Sequence, residues 1–440
     1  MKEIGKNLLI ILVSFCLFSL CALPCKAQER VKELTLEEAI EEAIQNNSLI
    51  RQAIEQERAA VEGEKSARAD LFPTLSTSYS YTRLKNAPFT VSGPMKIKVG
   101  EENNISWDVM ASQPLFTGFA ISTRRKIAAL DIDFQEIVKE QAVLDIARLV
   151  KIAYFNLLLT RRALEVADEE VKQLEGHVHD AKALHREGVI PLNDLLKSQV
   201  ALAHARQGRV QARANLTMAV SKLNTILGRD IMEDTRIQEL PPFQPTRYEI
   251  AILFEEAIQK RPEVRQLNVA LKQAGLAIRM AKSSYYPQVY LVGRYEQIGD
   301  DLLATNNDFG NDHNLSLTLQ ATWRIFQWGK KPADVKKAMH ERSALEQKIR
   351  AVKDSILLEV RDAYQKLRVA EENIHTATEA LDQARENFRI TNLQYQEGMT
   401  TSTEVLDART FLTQAEVNYY NSLYGYRIAD AELKRALGQR

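Results

Sequence analysis

The chain repeats itself, and that constrains its fold more than any other feature: two halves of common design must pack as one molecule. Glu41-Glu42-Ala43-Ile44-Gln45 recurs as Glu255-Glu256-Ala257-Ile258-Gln259. At the same offset of 214, Arg51-Gln52 matches Arg265-Gln266, and Pro73 matches Pro287. Further on the offset becomes 210. Phe116 then matches Phe326, Tyr154 matches Tyr364, Glu187-Gly188 matches Glu397-Gly398, and Leu227-Gly228 matches Leu437-Gly438. The halves run over 34–228 and 248–438, joined by Leu240-Pro241-Pro242-Phe243-Gln244-Pro245, a proline-rich connector. Each half reads as helix, strand, loop, strand, very long helix, turn, helix.

A targeting segment precedes the repeats. Lys2 and Lys6 give a basic start, Leu8 to Leu23 is apolar, and Cys25-Lys26-Ala27 puts small residues at −3 and −1 of a cleavage site. Residues 1–27 are therefore expected to be a signal peptide, with Gln28 opening the mature chain. The expected division is 28–228 for the first repeat, 229–247 for the connector and 248–440 for the second repeat. The apolar run is short for a membrane span. All three cysteines, Cys16, Cys21 and Cys25, lie in this segment. Leu20 and Pro24 precede the last two where lipidation needs a small residue. A mature chain without cysteine has no disulfide, thiol nucleophile or thiolate metal site. Formal net charge is zero, so no basic field points to nucleic acid. Past residue 27 there is no run of about 18 apolar residues, so a membrane crossing would have to be a closed barrel.

Four segments alternate with period two. After Pro73, Leu75, Tyr79 and Tyr81 oppose a row of Ser and Thr. Ile105, Trp107, Val109 and Ala111 oppose Asn104, Ser106, Asp108 and Ser112. After Pro287, Val289, Leu291 and Tyr295 oppose Gln288, Arg294 and Glu296. In the fourth, Leu315, Leu317, Leu319, Ala321, Trp323 and Ile325 oppose Asn314, Ser316, Thr318, Gln320, Thr322 and Arg324. A soluble β-sandwich face would also alternate, but four strands are few for a sandwich in this length of chain. Outer-membrane strands of roughly 10 residues fit better, with Tyr79, Tyr81, Trp107, Phe116, Tyr295, Trp323 and Phe326 as interfacial girdles. Four strands cannot close a membrane barrel, whose lower limit is about 8, so the chain is expected to oligomerise. The polar stretches near 85–103 and 299–312 read as exposed loops.

Gly118 and Gly329 mark the exits from the strands. Proline-free helices then start near Ile121 and Pro332 and end at Gly188 and Gly398. About 65 residues at about 1.5 Å each give roughly 100 Å. Val360, Ala363, Leu367, Ala370, Ile374, Ala377, Leu381, Ala384 and Phe388 keep an unbroken 3-4 spacing, the seam of a coiled coil. Val150 to Ala181 and Val405 to Ala436 do the same. Return helices start near Asn193-Asp194 and Thr403-Glu404, so each long helix doubles back as a hairpin.

This layout, with Glu397-Gly398 followed by Glu404-Val405-Leu406-Asp407-Ala408, resembles the TolC-type outer-membrane efflux family over essentially the whole mature chain. The resemblance implies an α+β fold in which a homotrimer closes a twelve-stranded barrel in outer membrane lipid, above a periplasmic tunnel of helices. It also implies an inner-membrane pump and a periplasmic adaptor docking at the tip. Acidic residues at the family's tip form a selectivity and gating ring, and the matching positions are Glu404 and Asp407, with Asp194 and Tyr395 nearby. Carboxylates repeated around a narrow mouth attract cations. The plainer reading is that these acids cap or complement helix N-termini. Some members lock the tip with an arginine where this chain has Thr400, so no salt-bridge lock is expected through that position. Thr400→Ala is expected to leave channel conductance nearly unchanged.

Enzyme motifs are missing: no nucleophile elbow, phosphate-cradling glycine loop or paired-carboxylate pocket, and no cofactor is expected. His177, His179 and His185 read as a solvated helix surface, not a metal site. Two other readings use the same features. A periplasmic coiled-coil adaptor would need the heptads but not the alternating strands. A channel for protein secretion would look the same as one for small-molecule efflux.

Overall fold

The computed structural model describes residues 33–241 and 248–440. The expected signal peptide and most of the proline-rich stretch lie outside the described residues. Each repeat opens with two helices in place of the single one expected. In the first, α1 (Leu36–Asn46) and α2 (Ser48–Ala69) are broken at Asn47. The Asn47 side chain accepts from the Leu49 amide at 2.9 Å and donates to the Ile226 carbonyl at 2.9 Å. It thereby caps α2 and ties the break to the far end of the repeat. In the second, α5 (Ile250–Lys260) and α6 (Pro262–Lys282) are broken at Arg261, where Pro262 takes the first helical position.

The strands are β1 (Thr74–Arg83), β4 (Asn103–Phe116), β5 (Gln288–Gly299) and β6 (His313–Thr322), forming one antiparallel sheet in that order. A separate hairpin, β2 (Phe89–Ser92) with β3 (Met95–Lys98), occupies the stretch expected to be loop. β4 irregularly shifts register between Pro114 and Phe116, where proline has no amide to donate. β6 ends at Thr322, so Trp323 and Ile325 lie just beyond it. The register confirms the alternation across all four strands. Thr77, Val109, Tyr295 and Leu315 form one row, and Leu75, Ala111, Gly293 and Leu317 another on the same face. Ser78, Asp108, Glu296 and Asn314 share the opposite face.

The long helices are α3 (Ala120–Arg186) and α7 (Lys330–Gln396), each of 67 residues, so each runs about 100 Å. They return as α4 (Leu192–Leu227) and α8 (Ser402–Ala436). Every position of the 3-4 spacing from Val150 to Ala181 and from Val360 to Phe388 is buried or half-buried. The first core joins α1, α2, α3 and α4 through Ile40, Ile50, Val150, Leu158, Leu223 and Leu227, and takes in Tyr424 and Ala431 of α8. That last contribution binds the second repeat to the first. A second core gathers Leu253, Val264, Val360, Leu367 and Leu433.

The connector belongs to the fold more than a linker would. Leu34 bridges Ile237 in parallel, and Thr235 and Ile237 are buried. The buried Tyr154 hydroxyl lies 3.0 Å from the Leu34 carbonyl and 2.7 Å from that of Gln238. Burial pushes this phenol up to about 12.

Candidate functional site

The four hairpin ends meet as two near-identical turns. Gly188 and Gly398 hold φ of +72° and +71°, and an added Cβ would meet nothing within 4 Å at either. Glycine is needed for its left-handed backbone alone. In each turn the next residue's amide reaches back over the helix end: Val189 to the Leu184 carbonyl at 2.9 Å, Met399 to that of Gln394 at 2.8 Å. Thr401 caps α8, accepting from the Glu404 amide at 3.4 Å.

Glu404 and Asp407 are exposed, and no described residue pairs with either carboxylate. The capping hydrogen bond is made by the Thr401 hydroxyl, and Glu404 stands in the first turn of α8. Asp194 is half-buried and faces Lys197 at 3.7 Å, and Lys197 donates to the Thr403 hydroxyl at 3.2 Å. A lysine thus links the tip of the first hairpin to that of the second. Tyr395 is 1% exposed and packs inside the hairpin pair, its ring 4.7 Å from that of His177. Burial raises its phenol above the ordinary value, Ser402 opposing and Asp194 and Asp180 adding to the rise.

His177 corrects the surface reading of the histidines. It is 5% exposed, whereas His179 is exposed and His185 half-buried. Position 177 lies beside the seam residues Leu174 and Val178 and faces α8 of the other hairpin, which the period of α3 alone does not reveal. Its Nε2 lies 2.8 Å from the Ser402 hydroxyl, and Ser402 lies 2.9 Å from Ser198. Both serines are fully buried. Burial lowers the imidazole below its ordinary value, with Asp180 opposing. Higher up the same contact, Arg409 is buried 3.7 Å from Glu416, over the ring of Phe388. Burial lowers the Arg409 guanidinium and raises the Glu416 carboxyl. The contact between α3 and α8 thus carries buried polar groups at its tip end. Among the described residues no cluster of His, Cys, Asp or Glu could hold a metal.

At the other end of the molecule, the aromatics form two belts. Tyr79, Tyr81, Trp107 and Tyr295 lie toward the loops, with Trp107 edge-on to Tyr295 at 6.1 Å. Phe116, Trp323 and Phe326 lie toward the helices. Phe119, Tyr286 and Trp328 join that second belt and escaped the sequence reading because they fall outside the strands. The sheet's polar face carries Arg294, 3.0 Å from Glu296 and 3.5 Å from Asp108.

Residues 39–229 and 253–439 match the model of the outer membrane efflux protein family, one match per repeat. The chain belongs to that family. It is 23% identical to outer membrane protein TolC of Vibrio cholerae over 92% of this chain and 90% of that one. It is 22% identical to TolC of Escherichia coli over 92% and 82%. It is also 22% identical to the alkaline protease secretion protein AprF of Pseudomonas aeruginosa, over 89% and 82%. The fold matches the Campylobacter jejuni CmeC outer membrane channel with a TM-score of 0.78 at 17% identity, over 92% and 85% of the chains. It matches VceC of Vibrio cholerae with a TM-score of 0.74 at 17% identity, over 92% and 96%. This member of the family is an outer-membrane efflux channel, and the TolC-type resemblance and α+β fold hold. No described helix is long and apolar enough to cross a membrane.

Proposed function

We propose that three copies of this chain close a twelve-stranded barrel over a common helical tunnel, a passive duct fed by a periplasmic adaptor and an inner-membrane pump. The observation that carries this is the sheet order. Within the chain, β4 of one repeat pairs with β5 of the other, leaving β1 and β6 as free edges. An exposed edge cannot persist in hydrocarbon. By the internal duplication, β6 of one copy meets β1 of the next, as β4 meets β5. The helices support the same ring. The α3–α8 contact inside the chain has its counterpart in α7 and α4 of adjoining copies, where Leu358, Val369, Val210 and Met218 are exposed. In that ring the Arg294, Glu296 and Asp108 face lines a wet lumen and the leucine face meets lipid. Glu404 and Asp407, exposed and unpaired beside the tip, would repeat around the mouth as an acidic ring. The domain reading, a leader over 1–27 and two repeats over 28–228 and 248–440, belongs to this proposal. The matched relatives include efflux proteins and a protease secretion protein, and what is exported is set by the pump.

The test is the mass of the detergent-solubilised protein by analytical ultracentrifugation. Three copies are expected. A monomer that stays soluble after detergent removal would overturn the ring and favour a coiled-coil adaptor.

A further inference from the structure

The connection between β5 and β6 does not simply project from the end of the sheet. Gly299 pairs with Ile105, so its missing side chain points to the face that carries Tyr79, Tyr81 and Trp107. A Cβ there would come within 2.7 Å of the Ala304 carbonyl carbon and 2.9 Å of its Cα. The loop backbone therefore lies directly on that face, and only glycine admits it. Two further observations agree. The Tyr79 hydroxyl donates to the Leu302 carbonyl at 2.8 Å. Ile105 is 2% exposed, while Tyr79 and Tyr81 on the same face are more than half exposed.

The loop is also stiff. The Asp301 carboxylate accepts from the Thr305 amide at 2.6 Å, the Thr305 hydroxyl at 2.8 Å and the Asn306 amide at 3.1 Å. The Asp300 amide donates to the Asn306 carbonyl at 2.9 Å. Ala304 is fully buried with φ of +54°, a strained left-handed conformation held by its surroundings. The outcome is that Leu302 and Leu303 stand 79% and 74% exposed on a fixed scaffold.

We propose that this turn is a lipid-engaging finger, in which Leu302 and Leu303 enter the interfacial layer of the outer leaflet. It rests on the barrel reading above, because the face it lies on is the one assigned to lipid. The finger folds back over that apolar face to the level of Tyr79 and Trp107, where amphipathic groups settle at a membrane boundary. A turn serving only water would have no use for two fixed, adjacent leucines. The polar remainder of the connection turns elsewhere: Phe309 lies under the Lys98 ammonium of the β2–β3 hairpin at 5.7 Å.

Site-directed spin labelling tests this, since the only cysteines are Cys16, Cys21 and Cys25 and can be removed. Labels at Leu303→Cys, at Leu315→Cys on the strand face and at Asp308→Cys on the polar arm are compared in phosphatidylethanolamine–phosphatidylglycerol vesicles. Collision with oxygen is read against collision with a water-soluble nickel chelate. The finger predicts that the label at 303 prefers oxygen, as at 315, while the label at 308 prefers nickel. A nickel preference at 303 would place the turn in water and overturn the proposal. Shielding of 303 from both reagents would place it against protein and overturn it too. Failure of the 315 label to prefer oxygen would instead bring down the barrel reading itself.

Discussion

A histidine at position 177 occupies a place where two helical hairpins touch, and its chemistry sets how firmly they touch. Burial disfavours the charged form of the ring, which shares a hydrogen bond with Ser402 and rests on Tyr395. The charged group that acts on it is Asp180 on its own helix, while Asp194 at the start of α4 acts on the neighbouring Tyr395. A histidine depressed by burial favours the closed contact fully above its ordinary value of 6.5, and that contribution is lost as pH falls below it. Packing of the ring into this contact thus opposes its protonation, and acid weakens the contact. Single-channel conductance is expected to rise between pH 7 and pH 5 in the wild type and to stay flat in His177→Gln. An equal rise in the variant would remove His177 from the account. This residue could not be read from its own helix. The 3-4 spacing of α3 reports the seam with α4, while the contact with α8 of the other hairpin depends on how the repeats sit together.

At the scale of elements, the parts with strong periodicity were legible and the parts fixed by partners were not. The two 67-residue helices begin and end within two residues of the positions read from Gly188 and Gly398 and from the apolar repeat. The four strands were legible because one face is largely apolar. The β2–β3 hairpin was not, because its strands have four residues each and sit among Pro88, Gly93 and Pro94. The break at Asn47 depends on a carbonyl 179 residues away, and the connector looked like a linker until Tyr154 and Arg161 were seen to hold it. The turns themselves carry a sharp prediction. Gly188→Ala puts a β-carbon on a residue with φ of +72° and costs about 1 kcal/mol, roughly a fivefold rise in local opening. Tryptic cleavage after the exposed Arg186 is the readout. An unchanged cleavage rate would show that the turn is not limited by its backbone.

At the scale of the whole molecule, the two repeats are locked by a charged knot as well as by apolar packing. Arg435 of α8 reaches Asp145 of α3 at 2.6 Å and Glu263 of α6 at 2.9 Å, and Arg261 reaches Glu263 at 2.9 Å and Glu359 of α7 at 2.8 Å. Burial opposes ionisation of Glu263, but hydrogen bonds from Arg261 and Arg435 outweigh it and hold the carboxyl down at about 2. A depressed carboxyl stabilises above its ordinary value of 4.5, and that stability is lost as pH falls toward 2. Thermal unfolding by circular dichroism should show Glu263→Gln less stable than wild type at pH 7, the two converging below pH 3. A constant difference would point to shape instead of charge. The knot, the shared cores and the paired sheet make the two repeats one body, and the proposed ring would pair the edges that β1 and β6 leave open. In that proposal Glu404 and Asp407 would set the charge preference of the mouth. The decisive measurement is therefore single-channel recording in planar bilayers of wild type and of the Glu404→Ala/Asp407→Ala variant. The account predicts small, cation-preferring currents in the wild type and loss of that preference in the variant. Membrane-inserted protein that carries no current at all would contradict it.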